Sequence, residues 1–108
     1  MKKIIEYYGL DNQRRKFNEE NLELQDAILE YQNTLRSLEG APQEYVEQTM
    51  APVRQKLILE LADNFVLLGQ FLEAFGIKRY EVEGAMRFKI GRTHDEIEKE
   101  KAKYDLSR

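Results

Sequence analysis

The sequence contains no cysteine and only one histidine, His94, among its 108 residues. The absence of cysteine excludes a disulfide framework, a thiolate zinc site and a cysteine nucleophile. A lone histidine argues against zinc, and because Glu-x-x-His repeats are missing, a di-iron bundle is disfavoured as well. His94 has no matching base or nucleophile near it in the sequence, so we assign it no role. The lack of cysteine is also typical of a cytoplasmic protein, which is the location we expect.

Glycine and proline are scarce too, with six and two residues in the chain. Together with 34% charged and 10% aromatic residues, this scarcity favours long helices over a sandwich of short strands. The length fits one domain, residues 1–108, with a core of its own. No apolar run approaches the roughly 20 residues of a membrane span, so we expect no membrane partner. Charged residues interrupt the start of the chain too early for a signal peptide.

The chain also lacks an excess of basic residues, and its net charge is −3. A protein that coats a nucleic acid polymer needs a basic face to neutralise phosphates, so we expect no such partner. A small phosphate ligand bound through a metal ion stays compatible with this charge. A Gly-rich phosphate loop is missing, because Gly84 and Gly91 lack the GxxxxGK[ST] context.

Apolar residues at three- and four-residue steps predict a long amphipathic helix in the first part of the chain. We place its N-cap at Asp11 and its end near Gly40. A short helix over residues 42–50 then begins with Pro42, and Pro52 starts or kinks the next element. The residues that define the first apolar stripe are Phe17, Leu24, Ile28, Tyr31, Leu35 and Leu38.

The middle of the chain is apolar on almost every side of a helix over residues 53–75. Such a helix is a central one, buried by its neighbours or by a partner subunit, and Gly76 is a suitable residue to end it. A weaker third helix follows from Tyr80 to Ile97, and residues 98–108 form a charged tail that we expect to fray. The chain therefore predicts an all-α fold, a helical bundle of long antiparallel helices.

Two pairs of carboxylates stand where the two long helices should be building a core. Glu20 and Glu23 project within about 60° of each other on a helix, and so do Glu60 and Asp63. A buried ionised carboxylate costs several kcal/mol unless something compensates it, and two neighbouring carboxylates repel each other further. Two arrangements relieve this cost. The acids can pair with Lys or Arg, or they can share a divalent cation.

For an isolated ExxE pair, the ordinary alternative is a solvated helix face. Lys56 precedes Glu60 by one turn and can pair with it, although Lys before Glu is the weaker order. Asp63 then has no partner close by in the sequence. Two such pairs on adjacent helices suit a hard cation, which takes oxygen ligands and fills its other positions with water and phosphate oxygens.

Basic and aromatic residues near the start of the chain give weaker signals. The basic residues 14–16 fit the solvated side of the first helix. Tyr7, Tyr8 and Tyr31 can stack on a nucleobase, although aromatic residues at helical spacing more often belong to a core.

The acidic motifs, taken in order, resemble those of the MazG-like, all-α nucleoside triphosphate pyrophosphohydrolases. That family carries an EExxE motif on one helix and an ExxD motif on the next. EENLE over residues 19–23 and ELAD over residues 60–63 match these motifs in order and in residue type. The similarity covers residues 4 to about 97 and is carried by the stretches YYGLDNQRRKFNEENLEL, KLILELADNFVLL and FKIGRT.

The resemblance implies hydrolysis of a (deoxy)nucleoside triphosphate to the monophosphate and pyrophosphate, in nucleotide-pool housecleaning. It implies Mg²⁺ as the cofactor, with Mn²⁺ as a substitute, and a homodimer or homotetramer as the assembly. Three basic residues, Lys56, Lys89 and Arg92, match basic positions of the family, where they can bind the departing pyrophosphate. Each can equally be a solvated surface residue. The acidic positions that hold the metal and support catalysis in the family correspond here to Glu20, Glu23, Glu60 and Asp63.

Two alternatives stay open. The chain can be a non-catalytic helical oligomerisation or interaction protein, whose acidic pairs are remnants or a charged patch that faces a partner. It can also be a metal-dependent enzyme of the same fold that acts on a different phosphate-containing substrate. The first alternative and the pyrophosphohydrolase both predict self-association, because a chain this short has difficulty covering the apolar middle helix alone.

Overall fold

The computed structural model describes residues 2–107 of the chain, with side chains from Lys3 to Asp105. Four helices make up this part: α1 (Lys2–Tyr8), α2 (Leu10–Ser37), α3 (Gln43–Ala74) and α4 (Arg79–Ser107). No strand occurs between residues 2 and 107, which confirms the all-α prediction. None of these helices combines the length and the apolar character that a bilayer crossing requires. The chain divides into two compact units, Met1–Ala74 and Phe75–Arg108.

The first unit is built on a hairpin of α2 and α3. The rings of Phe17 and Phe71 meet edge to face, with their centroids 5.9 Å apart. Further along α2, the carboxylate of Glu30 lies 2.8 Å from the ammonium of Lys56. Phe17, early in α2, contacts Phe71 late in α3, whereas Glu30, late in α2, contacts Lys56 in the first half of α3. The two helices are therefore antiparallel, as the sequence predicts for its long helices.

The seam between α2 and α3 follows a regular spacing. Buried and half-buried residues recur at alternating steps of four and three, which is the heptad spacing of helices that pack side by side. Several seam positions hold polar residues, so periodicity of apolar residues alone does not reveal the whole seam. On α2 and the residue that follows it, the seam residues are Gln13, Phe17, Glu20, Leu24, Ala27, Tyr31, Thr34 and Leu38. On α3 they are Val46, Met50, Val53, Leu57, Glu60, Asn64, Leu67 and Phe71.

A second apolar stripe runs along α3 and is solvent-exposed in the single chain. It consists of Ile58, Leu61, Phe65 and Leu68, and Phe65 is 69% exposed. Each of these residues follows a seam residue by one position, so the stripe lies about 100° around the helix from the seam. We call it the outer stripe. The two stripes together explain why residues 53–75 look apolar on nearly every side.

The connection between α2 and α3 is shorter than the sequence suggests. The prediction of a separate short helix over residues 42–50 is wrong, because α3 is a single helix of 32 residues with Pro52 inside it. Proline lacks the N–H that would bond to the carbonyl four residues earlier, at a cost of about 3 kcal/mol in a helix interior. Met50 and Val53, which pack into the seam on either side of Pro52, hold the helix together across this position.

The chain before α2 also departs from expectation. The sequence places the start of its first helix at Asp11, yet residues Lys2–Tyr8 already form α1. Gly9 has φ 86° and occupies the N-cap position of α2, so Asp11 falls inside the first turn instead of capping it. The Gly9 N–H donates to the carbonyl of Ile5 at 2.8 Å, which closes α1 just before the change of direction. Glycine suits this position because L-residues with a side chain rarely adopt a positive φ.

The second unit contains α4. Its first turn is closed by Glu81, whose carboxylate accepts a hydrogen bond from the backbone N–H of Lys78 at 2.7 Å. The charged tail predicted for residues 98–108 is helical as far as Ser107, where α4 ends. Good helix formers and an ion pair between Glu98 and Lys101, 3.7 Å apart, support this end. Arg108 lies outside the described residues.

Candidate metal centre

The seam of the hairpin brings three acidic side chains from two helices together. Glu20 and Glu60 occupy seam positions on α2 and α3, and Glu23 lies one turn beyond Glu20. One carboxylate oxygen from each of these residues lies within 4.8 Å of the others. The sequence predicted this meeting from two motifs that are 37 residues apart, and Asp63 is the fourth member of the predicted set. We refer to these four residues as the acidic cluster.

Two oxygen atoms of the acidic cluster have no hydrogen-bond partner. Oε2 of Glu20 and Oε2 of Glu60 are both buried, and neither meets a donor among the described residues. Buried polar atoms in folded proteins are nearly always hydrogen-bonded, so an unpaired buried acceptor calls for a missing partner. The two atoms lie on facing helices, so the seam presents two unpaired buried acceptors next to the carboxylate of Glu23.

The crowding of the acids changes their protonation. Burial raises the pKa of the Glu20 carboxyl above its ordinary value, and the negative charges of Glu23 and Asp63 raise it further. Burial is also the main cause that raises the pKa of Glu60, followed by the charges of Glu23 and Asp63, while the nearby ammonium of Lys56 acts in the opposite direction. Asp63 therefore belongs to the cluster electrostatically, although it stands outside the set of three close oxygens. Both seam acids are easier to protonate than ordinary glutamates.

Asn64 joins the two helices beside the acidic cluster. Its side-chain amide nitrogen donates to the backbone carbonyl of Glu60 at 2.8 Å and to that of Glu20 at 3.2 Å. The residue is only 7% exposed. Because both acceptors are carbonyls of the acidic residues themselves, Asn64 fixes where the two carboxylates emerge without neutralising their charge.

The basic residues predicted for the substrate phosphates have different surroundings. Lys56 does not pair with Glu60 in the hydrogen-bond network; it bonds instead to Glu30 across the hairpin, at 2.8 Å. That partner raises the pKa of Lys56, first through the hydrogen bond and then through its charge. Lys89 and Arg92 both lie on α4, in the second unit, and their assignment to the phosphates stays a prediction.

A groove of about 630 Å³ adjoins the acidic cluster inside the first unit. Glu20 and Asp63 form part of its lining, and the remaining lining residues come from α1, α2 and α3. Lys16, which the sequence placed on the solvated side of the first helix, also lines this groove and is exposed. It therefore supplies a positive charge next to the acids that sequence reasoning missed.

The donor set of the cluster fits a hard divalent cation. Mg²⁺ and Ca²⁺ bind carboxylate oxygens, and Mg²⁺ in particular uses a small number of carboxylates and fills its remaining positions with water or phosphate oxygens. The three close acids offer oxygens on both helices, and two of the oxygens lack any other partner. A cation between them would also favour the ionised forms of Glu20 and Glu60, whose pKa values are raised by burial and by the charges of neighbouring acids.

Three buried amides beside the cluster escaped the sequence analysis. Gln13 is 4% exposed, Gln70 is 3% exposed, and Asn64 is the bridging residue described above. Each was hidden because polar residues on a helix ordinarily indicate its solvated side. The signal that reveals Gln13 and Asn64 is heptad spacing counted without regard to polarity, because both fall in step with the apolar seam residues.

Comparison with known proteins adds no family assignment. A scan against protein-family models gives no match, and searches of curated proteins and of solved structures give no significant match. The resemblance to MazG-like enzymes therefore rests on the motifs in the sequence, and any function rests on the chemistry of the site.

Proposed function

We propose that the protein hydrolyses a (deoxy)nucleoside triphosphate to the monophosphate and pyrophosphate, using Mg²⁺ held by the acidic cluster. The observation that carries this proposal is the pair of buried, unpartnered oxygens of Glu20 and Glu60 on facing helices, with Glu23 close to both. Structural ion pairing would leave these atoms with cationic partners. Lys56, the cation closest in sequence to Glu60, is bonded to Glu30 instead.

The chain's own groups have separate tasks in this reaction. Glu20, Glu23, Glu60 and Asp63 would hold the cation, and the first three already bring carboxylate oxygens within 4.8 Å of one another. A Mg²⁺ ion held there would supply positive charge to neutralise the phosphates and would make a bound water more acidic. Lys16 lines the groove beside the acids and can neutralise a phosphate group that enters it. Lys56, Lys89 and Arg92 are the further phosphate-binding residues that the family resemblance implies.

The test is a screen for pyrophosphate release with every NTP and dNTP, including dUTP and dCTP, in the presence of Mg²⁺. We expect one substrate group to give pyrophosphate and monophosphate in equal amounts, with activity lost on addition of EDTA. Mn²⁺ should restore turnover to the stripped protein. The protein used in the screen should give the NMR spectrum of a folded protein. If this folded protein releases no pyrophosphate from any of the substrates, the proposal is wrong.

The outer stripe of α3 supports a second proposal, that a second copy of the chain binds there. Ile58, Leu61, Phe65 and Leu68 are all exposed in the single chain and lie on one side of the helix at heptad spacing. Exposed apolar stripes of this kind mark interaction surfaces. Heptad spacing makes an identical helix a suitable partner, because residues at the same steps can pack against each other. A homodimer or homotetramer then covers the stripe.

Charge placed on the outer stripe tests this assembly. Leu61→Asp and Leu68→Asp should each shift the protein to monomer in light scattering at micromolar concentration, because an unpaired charge would be buried in the interface. Helical content should remain, because both side chains are exposed in the single chain. Gln55→Asp places the same charge on α3 outside the stripe and should leave the assembly intact. A wild-type protein that is monomeric under these conditions contradicts self-association.

The same stripe also fits the alternative of a non-catalytic interaction protein. The two functions differ in what the acidic cluster does. An interaction protein would keep its assembly but release no pyrophosphate, so the substrate screen and the light-scattering experiment together separate them.

A further inference from the structure

The groove beside the acidic cluster contains more than the acids that a metal needs. Gln13 on α2 and Gln70 on α3 both line it, and both are more than nine-tenths buried. Oε1 of Gln70 has no hydrogen-bond partner among the described residues. Leaving a buried amide oxygen unpaired is costly unless a ligand supplies the missing donor.

The other side chains of the groove suit a flat ring. Ile4, Val66 and Leu67 supply apolar surface, and Tyr8, which is 55% exposed, supplies an aromatic face at its edge. Ligand sites typically combine such apolar walls with a few polar groups that fix orientation. A glutamine amide presents one donor and one acceptor side by side, and this pattern matches the hydrogen-bonding edge of a nucleobase.

From these contacts we propose that the groove binds the base of the nucleotide, with Gln70 and Gln13 as the residues that determine which base is accepted. The inference rests on the proposed pyrophosphohydrolase function, because it places the base next to the cation that would hold the phosphates. A base N–H bonds to the unpaired Oε1 of Gln70. Tyr8 stacks against the ring, a contact that the sequence offered only as one of two interpretations of this tyrosine.

Binding of the base can be measured without metal and without turnover. The probes are the five nucleoside 5′-monophosphates AMP, GMP, CMP, UMP and dTMP, titrated in EDTA and followed by NMR through the side-chain amide signals of Gln13 and Gln70. We expect at least one monophosphate to bind at millimolar concentration or below and to shift both signals. Failure of all five to bind at millimolar concentration would overturn the proposal.

The decisive variant is Gln70→Met, which keeps the length of the side chain and removes its amide. We expect the affinity for the bound monophosphate to fall by about tenfold or more, because a site built around a hydrogen bond discriminates strongly when that bond is lost. The variant should melt no lower than the wild type, since an unpaired buried acceptor has been removed. Unchanged affinity in Gln70→Met would refute the role of this residue.

Two further variants separate this inference from the proposed reaction. Gln55→Met makes the same change at an exposed position of α3 outside the groove and should bind the monophosphates as the wild type does. Glu60→Gln should keep monophosphate binding in EDTA while losing pyrophosphate release. If monophosphates bind and Gln70→Met weakens them, but no triphosphate is ever hydrolysed, the base site stands and the enzymatic proposal fails.

Discussion

The two halves of the α2–α3 hairpin share one heptad pattern but contain opposite chemistry. In the half near the connection, the seam buries apolar residues such as Ala27, Leu38 and Met50. The charges beside it are complementary, as in the Glu30–Lys56 ion pair. In the other half, the seam holds Glu20 and Glu60, whose buried oxygens are unpaired.

The comparison shows that one half buries apolar side chains, whereas the other buries carboxylate oxygens that have no partner among the described residues. In the half near the connection, burial of apolar side chains stabilises the fold without any partner from outside the chain. In the half that contains the acidic cluster, burial and then the charges of neighbouring acids raise the pKa of Glu20 and Glu60. Sites that bind ligands commonly reduce the stability of the empty protein in this manner. Four predictions follow this contrast, from the largest expected effect to the smallest.

Removal of any carboxylate of the acidic cluster should nearly abolish activity. Glu20→Gln, Glu23→Gln, Glu60→Gln and Asp63→Asn should each lower turnover by at least ~100-fold, which corresponds to roughly 2.7 kcal/mol of transition-state stabilisation. The reason is that each variant removes a negative charge from the site that holds the cation. The measurement is the steady-state rate of pyrophosphate release at saturating Mg²⁺.

Glu44→Gln is the matched control, because Glu44 is exposed in the first turn of α3 and lies far along the helix from the cluster. Its turnover should be close to that of the wild type. Small and equal effects at all five positions would show that the acidic cluster is not the catalytic centre.

Filling the site with metal should stabilise the fold. A ligand at five times its dissociation constant adds about 1 kcal/mol to the free energy of unfolding. For a domain of this size that corresponds to a rise of roughly 4–8 °C in melting temperature. Thermal melting with EDTA and with millimolar Mg²⁺, at constant ionic strength, measures the difference. An identical melting temperature of the wild-type protein in EDTA and in Mg²⁺ would contradict a metal site.

Loss of one seam acid should raise the stability of the metal-free protein. Glu60→Gln should melt higher than the wild type in EDTA and gain little from Mg²⁺, because it removes one of the repelling charges but also a ligand. The stabilisation should depend on pH. The folded protein binds protons at Glu20 and Glu60 more tightly than the unfolded chain does, so wild-type stability falls as pH rises from the ordinary value of 4.5 through the raised folded-state pKa.

The advantage of Glu60→Gln should therefore be small near pH 4.5 and larger at neutral pH, as measured by melting curves across this range in EDTA. Asp63→Asn should behave in the same direction at neutral pH. Variants that melt lower than the wild type in EDTA would identify these acids as ordinary structural partners.

The smallest effect is expected for the ion pair between Glu30 and Lys56, in the half of the hairpin near the connection. Glu30→Gln should change the free energy of unfolding by less than about 1 kcal/mol, because both partners are exposed and such pairs contribute little. The change should be independent of Mg²⁺ in chemical denaturation. A dependence on Mg²⁺ would mean that Lys56, once released from Glu30, acts on the acidic cluster.

Much of the hairpin could be predicted from the sequence because its signals are local and periodic. Apolar spacing identified the long helices, and the three-residue spacing within each acidic pair placed both pairs where the two helices could bring them together. The partner of Lys56 could not be predicted, because Glu30 is 26 residues away and only the packing of the helices selects it over Glu60. The continuity of α3 through Pro52 likewise depends on seam contacts outside the local sequence.

The buried amides escaped prediction for a different reason. A polar residue on a helix is ordinarily assigned to the solvated side, and this rule fails where a polar side chain is buried in or beside the seam. Gln13, Asn64 and Gln70 break the rule together, all beside the acidic cluster. Places where local rules fail tend to be functional sites, so these failures themselves locate the groove.

The short helix α1 forms one wall of the groove and should be able to unfold locally. It has only seven residues, and a helix of this length does not persist in water without packing on its neighbours. Gly9, with its positive φ, separates the backbone hydrogen bonds of α1 from those of α2, and the side-chain amide of Asn12 donates to the carbonyl of Tyr8 across the junction at 2.7 Å. Its backbone amides should therefore exchange with deuterium long before those of the seam, through local opening of low free energy. Because Ile4 and Tyr8 line the groove, a ligand bound there would slow that exchange, and the entropic cost of ordering α1 would lower its affinity.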